Sequence, residues 1–443
     1  MGTELTGSVR LNLRPAVPLP QGRLESSMPE SSSRKQMRIL VVHEFNFRFG
    51  GGEQYLYEIC HALREMGHRV ALVCARDKNQ GYLPVDVSYG IERSFGLRTG
   101  RRVFPFVRQV LDQERPDLLF LNGLGCLFLS PHIIGKLVAG WPTVAFVHHL
   151  DLICPTGRKI IPKADRPCGW AAGHHCLREG CVGLLDASRV NALRRALVAL
   201  WRMRVLRRSG MVIVPSEFVR RECLRNGFAP GRLQILPPFT PKGRGPLPDP
   251  VGHRILWAGR LEDGKGLDHF LRSLRRLPGR GWEALVVGEG PGRAKAMELA
   301  AALGLSQAVT FLGRLDGDEL DTAYASSRLL VMTSTWAETF GQVGIEAMAF
   351  GRPVVAYDAG GTTEWLEDGR TGFLVQRGDC VRLAERVTLL LEDDLLWRRM
   401  GTAALQEVER RFRPEQHVQG LVQAFEVTIR ASRGETIDLA DVA

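Results

Sequence analysis

The feature that most limits what this chain can fold into is an alternation that runs twice. Short apolar runs of the buried-strand type ("MRILVVHEF", "DLLFLN", "PTVAFVHH", "GMVIVPS") alternate with segments of helical apolar spacing. A stretch dense in Pro and Gly, 236–252, interrupts the pattern, and it then resumes through "RILWAGR", "EALVVGEG", "AVTFLG", "LLVMTS" and "PVVAYDAGG". Strands that alternate with helices form a parallel sheet covered on both faces. The expectation is therefore α/β: two doubly wound, Rossmann-like domains facing across a cleft. The carboxyl ends of both sheets, and with them the ligand sites, should line that cleft.

The expected boundaries are a disordered leader over 1–36, a first domain over 37–235, a linker over 236–252, a second domain over 253–425 and a tail over 426–443. A length of 443 residues suits two cores better than one. The formal net charge of +11 points toward an anionic partner, although a soluble protein simply rich in arginine has the same balance. Nine cysteines cannot all pair, no charged-then-apolar leader opens the chain, and no apolar run reaches the length of a membrane span. A reducing, cytoplasmic setting is the expectation.

Five places put glycines or charges beside a strand end. "FGGGEQ", with Gly50 and Gly51, opens the first helix, where backbone amides and the helix dipole favour an anion; a tight turn has the same sequence. In "WAGRLEDGKG", Arg260 and Lys265 flank a turn and suit two cations gripping a diphosphate, or else a solvated loop. "VVGEGPGR" is a third glycine-rich strand end. "FVHHLD" sets His148 and His149 at the end of a first-domain strand.

The fifth place, "AETFGQVGIEAM", carries two carboxylates eight positions apart. Gly341 and Gly344 argue against one unbroken helix, so Glu338 is expected on a loop and Glu346 on a helix. Gly341, Gln342 and Val343 would then offer amides at the helix start. Glu346 would accept ribose hydroxyls and Glu338 sugar hydroxyls. A capping acid plus a partly buried one is the plainer reading. The surroundings of Gly290, Arg314 and Trp336 are expected to line the base and sugar pockets.

These residues carry a resemblance. From Met37 to about residue 425 the chain resembles a retaining glycosyltransferase of the GT-B fold, family 4. Its E-x7-E element matches Glu338 to Glu346 and continues through "EAMAFGRPVVAYDAGG" to Glu364; "GRLEDGKG" matches G-R-L-x3-K-G; "GGGEQ…GHRV" resembles G-G-x-E…G-H-x-V; and "VHHLDLICP" resembles the segment bearing the family's active-site histidine. His149 stands where the family usually has Asp, and Pro237, Pro238 and Phe239 stand where many members have P-N-G. The resemblance implies transfer of a sugar from a nucleoside-diphosphate sugar to an acceptor hydroxyl of a glycan or lipid-linked molecule, with its anomeric configuration kept. It implies His148, Glu338, Arg260 and Lys265 as the catalytic set. Gly50, Gly51, Arg260, Lys265, Gly341, Gln342, Val343 and Glu346 would form the donor site, with no cofactor and no catalytic metal. Polysaccharide or glycolipid synthesis is the matching context. A sugar-nucleotide epimerase of the same fold and a basic nucleic-acid-binding protein are the alternatives; no nucleic-acid motif interleaving aromatic and basic residues is present, so no nucleic-acid partner is expected.

Two further segments stand apart. Cys154, Cys168, Cys176 and Cys181, with His174 and His175, crowd 154–181; the readings are a structural zinc clip, against which stands the absence of any Cys-x2-Cys pair, and an acceptor-side loop. The arginine-rich "NALRRALVALWRMRVLRRS" either lies on an anionic membrane surface, placing the protein peripherally on the membrane's inner face, or covers the first domain's sheet.

Overall fold

The strand runs assemble into two sheets. The structure, a computed structural model, describes residues 13–14, 36–46, 51–76, 83–91, 100–123, 129–240, 252–279 and 281–435. The first domain contains β1 (Leu13–Arg14), β2 (Arg38–Phe45), β3 (Arg69–Arg76), β4 (Val87–Gly90), β5 (Leu118–Asn122) and β6 (Thr143–Phe146). After an insertion holding the small pair β7 (Ile160–Ile161) and β8 (Arg166–Pro167), β9 (Met211–Val214) and β10 (Leu233–Ile235) complete it. The sheet order is β1-β4-β3-β2-β5-β6-β9-β10, parallel except for β1 at the edge. The second domain carries β11 (His253–Ala258), β12 (Trp282–Val287), β13 (Val309–Gly313), β14 (Leu329–Met332), β15 (Val354–Tyr357) and β16 (Gly372–Val375), all parallel, in the order β13-β12-β11-β14-β15-β16.

Both sheets are buried on both faces, which is why their strands read as unbroken apolar runs. Along β2, Ile39 and Val41 join one buried cluster while Leu40 and Val42 join another. Along β11, Ile255 and Trp257 go to one side and Leu256 to the other. The strand order reverses between β2 and β5 in the first sheet and between β11 and β14 in the second. Each reversal opens a crevice at the strands' carboxyl ends.

Three expected boundaries shift. Leu13–Arg14 of the leader pair with β4, and the rest of 1–35 lies outside the described residues. Leu236 and Phe239, assigned to the linker, are apolar enough to be buried in the first domain's core, and 241–251 lies outside the described residues. The expected tail begins inside a helix, Pro414–Ser432, that returns to the first domain. Its Leu421, Val422 and Phe425 are buried with Ile39 and Val41, and the Phe425 ring lies 5.2 Å from that of Phe120. The apolar stripe continues past residue 425 through Val427 and Ile429, so the helix has no reason to end there.

His417 anchors this returning helix. Its Nδ1 donates to the Pro237 carbonyl at 2.6 Å, and its Nε2 lies 2.7 Å from the Tyr55 hydroxyl. Because a carbonyl only accepts, Nδ1 carries the proton and Nε2 accepts from Tyr55, so the neutral ring is fully satisfied. Burial, partly offset by the Pro237 bond, holds the imidazole down at about 4. The unfolded chain therefore binds the extra proton between that value and about 6.5, and stability falls as pH drops through this window. The cost by pH 5 should be about 2 kcal/mol. Thermal melts of His417→Gln should show a shallower decline than wild type between neutral pH and pH 5.

Candidate active site

The two crevices face each other around a cavity of about 300 Å³. One wall is first-domain chain: the start of the helix Gly51–Glu65, with Tyr55, and the segment from Phe146 to His149. The other is second-domain chain: Trp257 to Arg260, Lys265, Thr333, Ser334 and the run from Glu338 to Val343 with Glu346. Of the donor-site set expected from the sequence, Gly51, Arg260, Lys265, Gly341, Gln342, Val343 and Glu346 all line this space, together with His148 and Glu338. Gly50 lies outside the described residues.

Glu338 is on a loop and Glu346 on the helix Gln342–Ala349, as the spacing predicted. Gly341 caps that helix in the left-handed region (φ 93°), and the first helical residues, Gln342 and Val343, line the cavity. Gly344 has a different reason. A side chain there would overlap the Trp365 ring, whose indole donates to the Phe340 carbonyl at 2.6 Å. The second glycine thus serves packing beneath the helix rather than ligand approach.

The Glu338 backbone is held from below: its amide donates to Ala359 at 3.1 Å and its carbonyl accepts from Gly361 at 2.8 Å. Its carboxylate accepts from Lys265 Nζ at 2.7 Å and from the Ser334 hydroxyl. Burial pushes this carboxyl up, but Lys265, Ser334 and His149 outweigh it and hold the group below its usual range, hence ionised. Glu346 goes the other way: burial pushes it up, the Tyr324 hydroxyl at 2.7 Å opposes, and Asp321 adds to the rise. Arg260 is the most open of the set, its side chain 61% exposed and 3.4 Å from Glu262.

His148 sits on the facing wall, 4.5 Å from the Phe146 ring and 5.0 Å from that of Tyr55. Burial, with His149, His43 and His417 nearby, holds its imidazole well below the ordinary value, so the ring is neutral at pH 7. Its Nε2 meets Asn122 Oδ1 at 2.8 Å, and its backbone carbonyl accepts from the Thr339 hydroxyl at 3.0 Å. With His149 in the place of the family's usual Asp, the ring is oriented by Asn122 instead. Behind Asn122, His43 meets its carbonyl at 2.7 Å, and His43 in turn faces Glu53 at 3.2 Å.

Sequence reasoning passed over Asn122, His43 and Glu53. The available signal was a polar residue ending each of three adjacent apolar runs, β2, β5 and β6. Gly290, Arg314 and Trp336 are not among the residues that line this cavity. The turn at Gly290 backs the Arg260 loop, with Gly292 donating to the Leu261 carbonyl at 2.8 Å. Trp336 lies under the Arg158 guanidinium, 4.2 Å from its ring centroid, and Arg314 pairs with Asp316 at 3.3 Å.

The four insertion cysteines carry free thiols. Of the two readings of this segment, the zinc clip finds no support: among the described residues no group of three or more His, Cys, Asp or Glu is placed to hold a metal ion. Cys154 hydrogen-bonds to Thr156, and Cys168 and Cys181 face the Trp170 and Ile160 carbonyls instead. Rather than clipping the loop to itself, the insertion reaches across the cleft. Arg158 covers Trp336, and Asp165 pairs with Arg377 at 3.1 Å.

Two family models match the chain: Glycosyltransferase Family 4 over 49–242 and Glycosyl transferases group 1 over 250–407. The sulfoquinovosyl transferase SQD2 of Arabidopsis thaliana is 34% identical over 405 residues, 86% of this chain and 72% of that protein. The chain belongs to the family 4, group 1 glycosyltransferases. This family 4 member is also 35% identical over 215 residues to the D-inositol 3-phosphate glycosyltransferase of Nocardia farcinica, a match covering 44% of this chain and 48% of that protein's length. Among solved structures, HepE of Anabaena in complex with UDP-glucose has the same fold (TM-score 0.66, 21% identity, 88% of this chain and 100% of that one). So does the sucrose-phosphate synthase of Thermosynechococcus elongatus (TM-score 0.70, 20% identity, 89% and 100%).

Proposed function

We propose that the protein is a retaining, metal-independent glycosyltransferase that moves a sugar from a nucleoside-diphosphate sugar to an acceptor hydroxyl. The reading is carried by one observation: Arg260, Lys265 and the start of the helix at Gln342 line one wall of the cavity with Glu338 and Glu346, opposite a neutral His148. In the reaction the bond from the sugar's anomeric carbon to the diphosphate oxygen breaks, and its electron pair stays on the diphosphate. The acceptor oxygen bonds to the same face of that carbon and gives its proton to the departing phosphate oxygen. Charge therefore builds on the diphosphate, where Arg260, Lys265 and the helix start stabilise it without a metal ion.

The ionised Glu338 accepts hydroxyls of the sugar and positions it; it is not an acid for the leaving group. Glu346, with one oxygen taken by Tyr324, offers the other to the ribose hydroxyls. His148, kept neutral by burial, presents a hydrogen-bonding ring beside the anomeric carbon rather than a second positive charge. A uridine diphosphate sugar is the first donor to try, since HepE of Anabaena is held with UDP-glucose. The acceptor is a glycan or lipid-linked hydroxyl in polysaccharide or glycolipid synthesis.

The test is incubation of the purified protein with UDP-, GDP- and ADP-sugars in the presence of a chelator, following release of the nucleoside diphosphate and the product's anomeric configuration by NMR. Release that continues with chelator present and a retained anomer are expected. No release from any donor overturns the assignment, release that stops with chelator removes the metal-independence, and an inverted product removes the retaining mechanism.

A further inference from the structure

The helix Arg189–Leu206 is packed along one side only. Ala192, Ala196, Met203 and Leu206 are buried, and the helix leans on Pro131–Gly140 of the first domain. The side turned away repeats at helical spacing through Val190, Leu193, Leu197 and Trp201. Val190 is 78% exposed, Leu197 57% and Trp201 48%, which a soluble helix covering a sheet would not leave open. Leu177 and Leu184, in the insertion that packs against this helix, are exposed too and extend the apolar area.

Charge decides what covers it. The helix holds five arginines and no acidic residue. Arg195 and Arg202 face Asp186 and Asp151, each at 3.7 Å, whereas Arg189, Arg194 and Arg204 are exposed beside the apolar stripe, and Arg208 continues it just beyond the helix. The centre of a protein–protein interface is depleted of charge. A stripe of Leu, Val and Trp with arginines interleaved instead suits a helix lying in the interface of a membrane, its apolar side among acyl chains and its guanidiniums at phosphate level.

We propose that this side of Arg189–Leu206, with Leu177 and Leu184, is a docking surface for an anionic lipid bilayer. The segment 150–206 runs without interruption from the His148 wall of the cleft to this helix, so a bilayer held here is coupled to the cavity through one packed unit. Among the described residues no helix is long and apolar enough to cross a membrane.

The test is flotation of the full-length protein with vesicles of phosphatidylcholine, alone or with phosphatidylglycerol added, at low and high salt. Wild type should float with the anionic vesicles at low salt, weakly with neutral ones, and less as salt screens the arginines. Leu197→Glu combined with Trp201→Glu should weaken flotation at least about tenfold, because two charges would have to enter the apolar layer. Arg194→Gln with Arg204→Gln should reduce both binding and its salt dependence. Melting temperatures should stay at the wild-type value, as all four side chains are exposed. Failure of wild type to float at low salt, or undiminished flotation of the Leu197/Trp201 variant, overturns the proposal. So does a dimer in light scattering that the same variant dissociates, which would assign the face to a second copy of the chain. None of these readouts uses a sugar donor, so they stand or fall apart from the transferase reading.

Discussion

Lys265→Ala is expected to lower turnover by about 10²–10³-fold, the scale of losing one preorganised group that stabilises charge developing in the transition state. In the structure the ammonium lies 2.7 Å from the Glu338 carboxylate and lines the cavity beside Arg260. On the proposed reading it meets the diphosphate as the anomeric bond breaks. The negative charge it answers grows during that step, so kcat should fall much more than donor affinity. The variant also leaves Glu338, whose side chain is only 14% exposed, without its cation, at a stability cost of roughly 1–3 kcal/mol. Lys265→Met combined with Glu338→Gln removes both charges and should regain most of that stability while regaining no turnover. Because the two groups are hydrogen-bonded, their effects on rate should also be non-additive, the double variant falling little below either single one. Single-turnover release of nucleoside diphosphate, read beside thermal melts, separates the two effects. Near wild-type turnover in Lys265→Ala would remove the residue from the site.

Gly266→Ala should be among the most damaging conservative changes in the second domain, destabilising it by about 2–5 kcal/mol. Gly266 has φ 67°, and a Cβ there would overlap the carbonyl oxygen of Thr333. That oxygen belongs to backbone just past β14 and cannot swing aside as a side chain would. The Lys265 loop and the 333–336 loop are also tied by Thr335 donating to the Gly264 carbonyl at 2.8 Å, and by the Thr333 hydroxyl donating to the Lys265 carbonyl at 3.3 Å. Relief of the overlap must therefore displace Lys265, and activity should fall even in the molecules that remain folded. Gly279→Ala is the control: its φ is 73° but nothing lies within 4 Å of the added carbon, so it carries the conformational cost alone. Equal melting-temperature losses in the two variants would show that the close approach contributes nothing.

The sequence by itself determined the two sheets, because strands buried on both faces must be written as unbroken apolar runs and helices between them as amphipathic ones. It also placed Lys265, Glu338 and Glu346 near strand ends, since glycines and charges interrupt those runs nowhere else so densely. What only the tertiary structure decided were the partnerships between residues far apart in the chain. Asn122 meets His148 because β5 and β6 are neighbours, and no local pattern announces a hydrogen bond made across a sheet. Gly344 proved to be a seat for Trp365, a contact twenty-one positions away that periodicity does not record. The returning helix Pro414–Ser432 reads as an amphipathic helix in either domain; its apolar stripe states that it must be covered, and only packing against Ile39, Val41 and Phe120 states by what. Local sequence fixes local preference through a few neighbouring residues, whereas a site's geometry depends on which buried surfaces find each other.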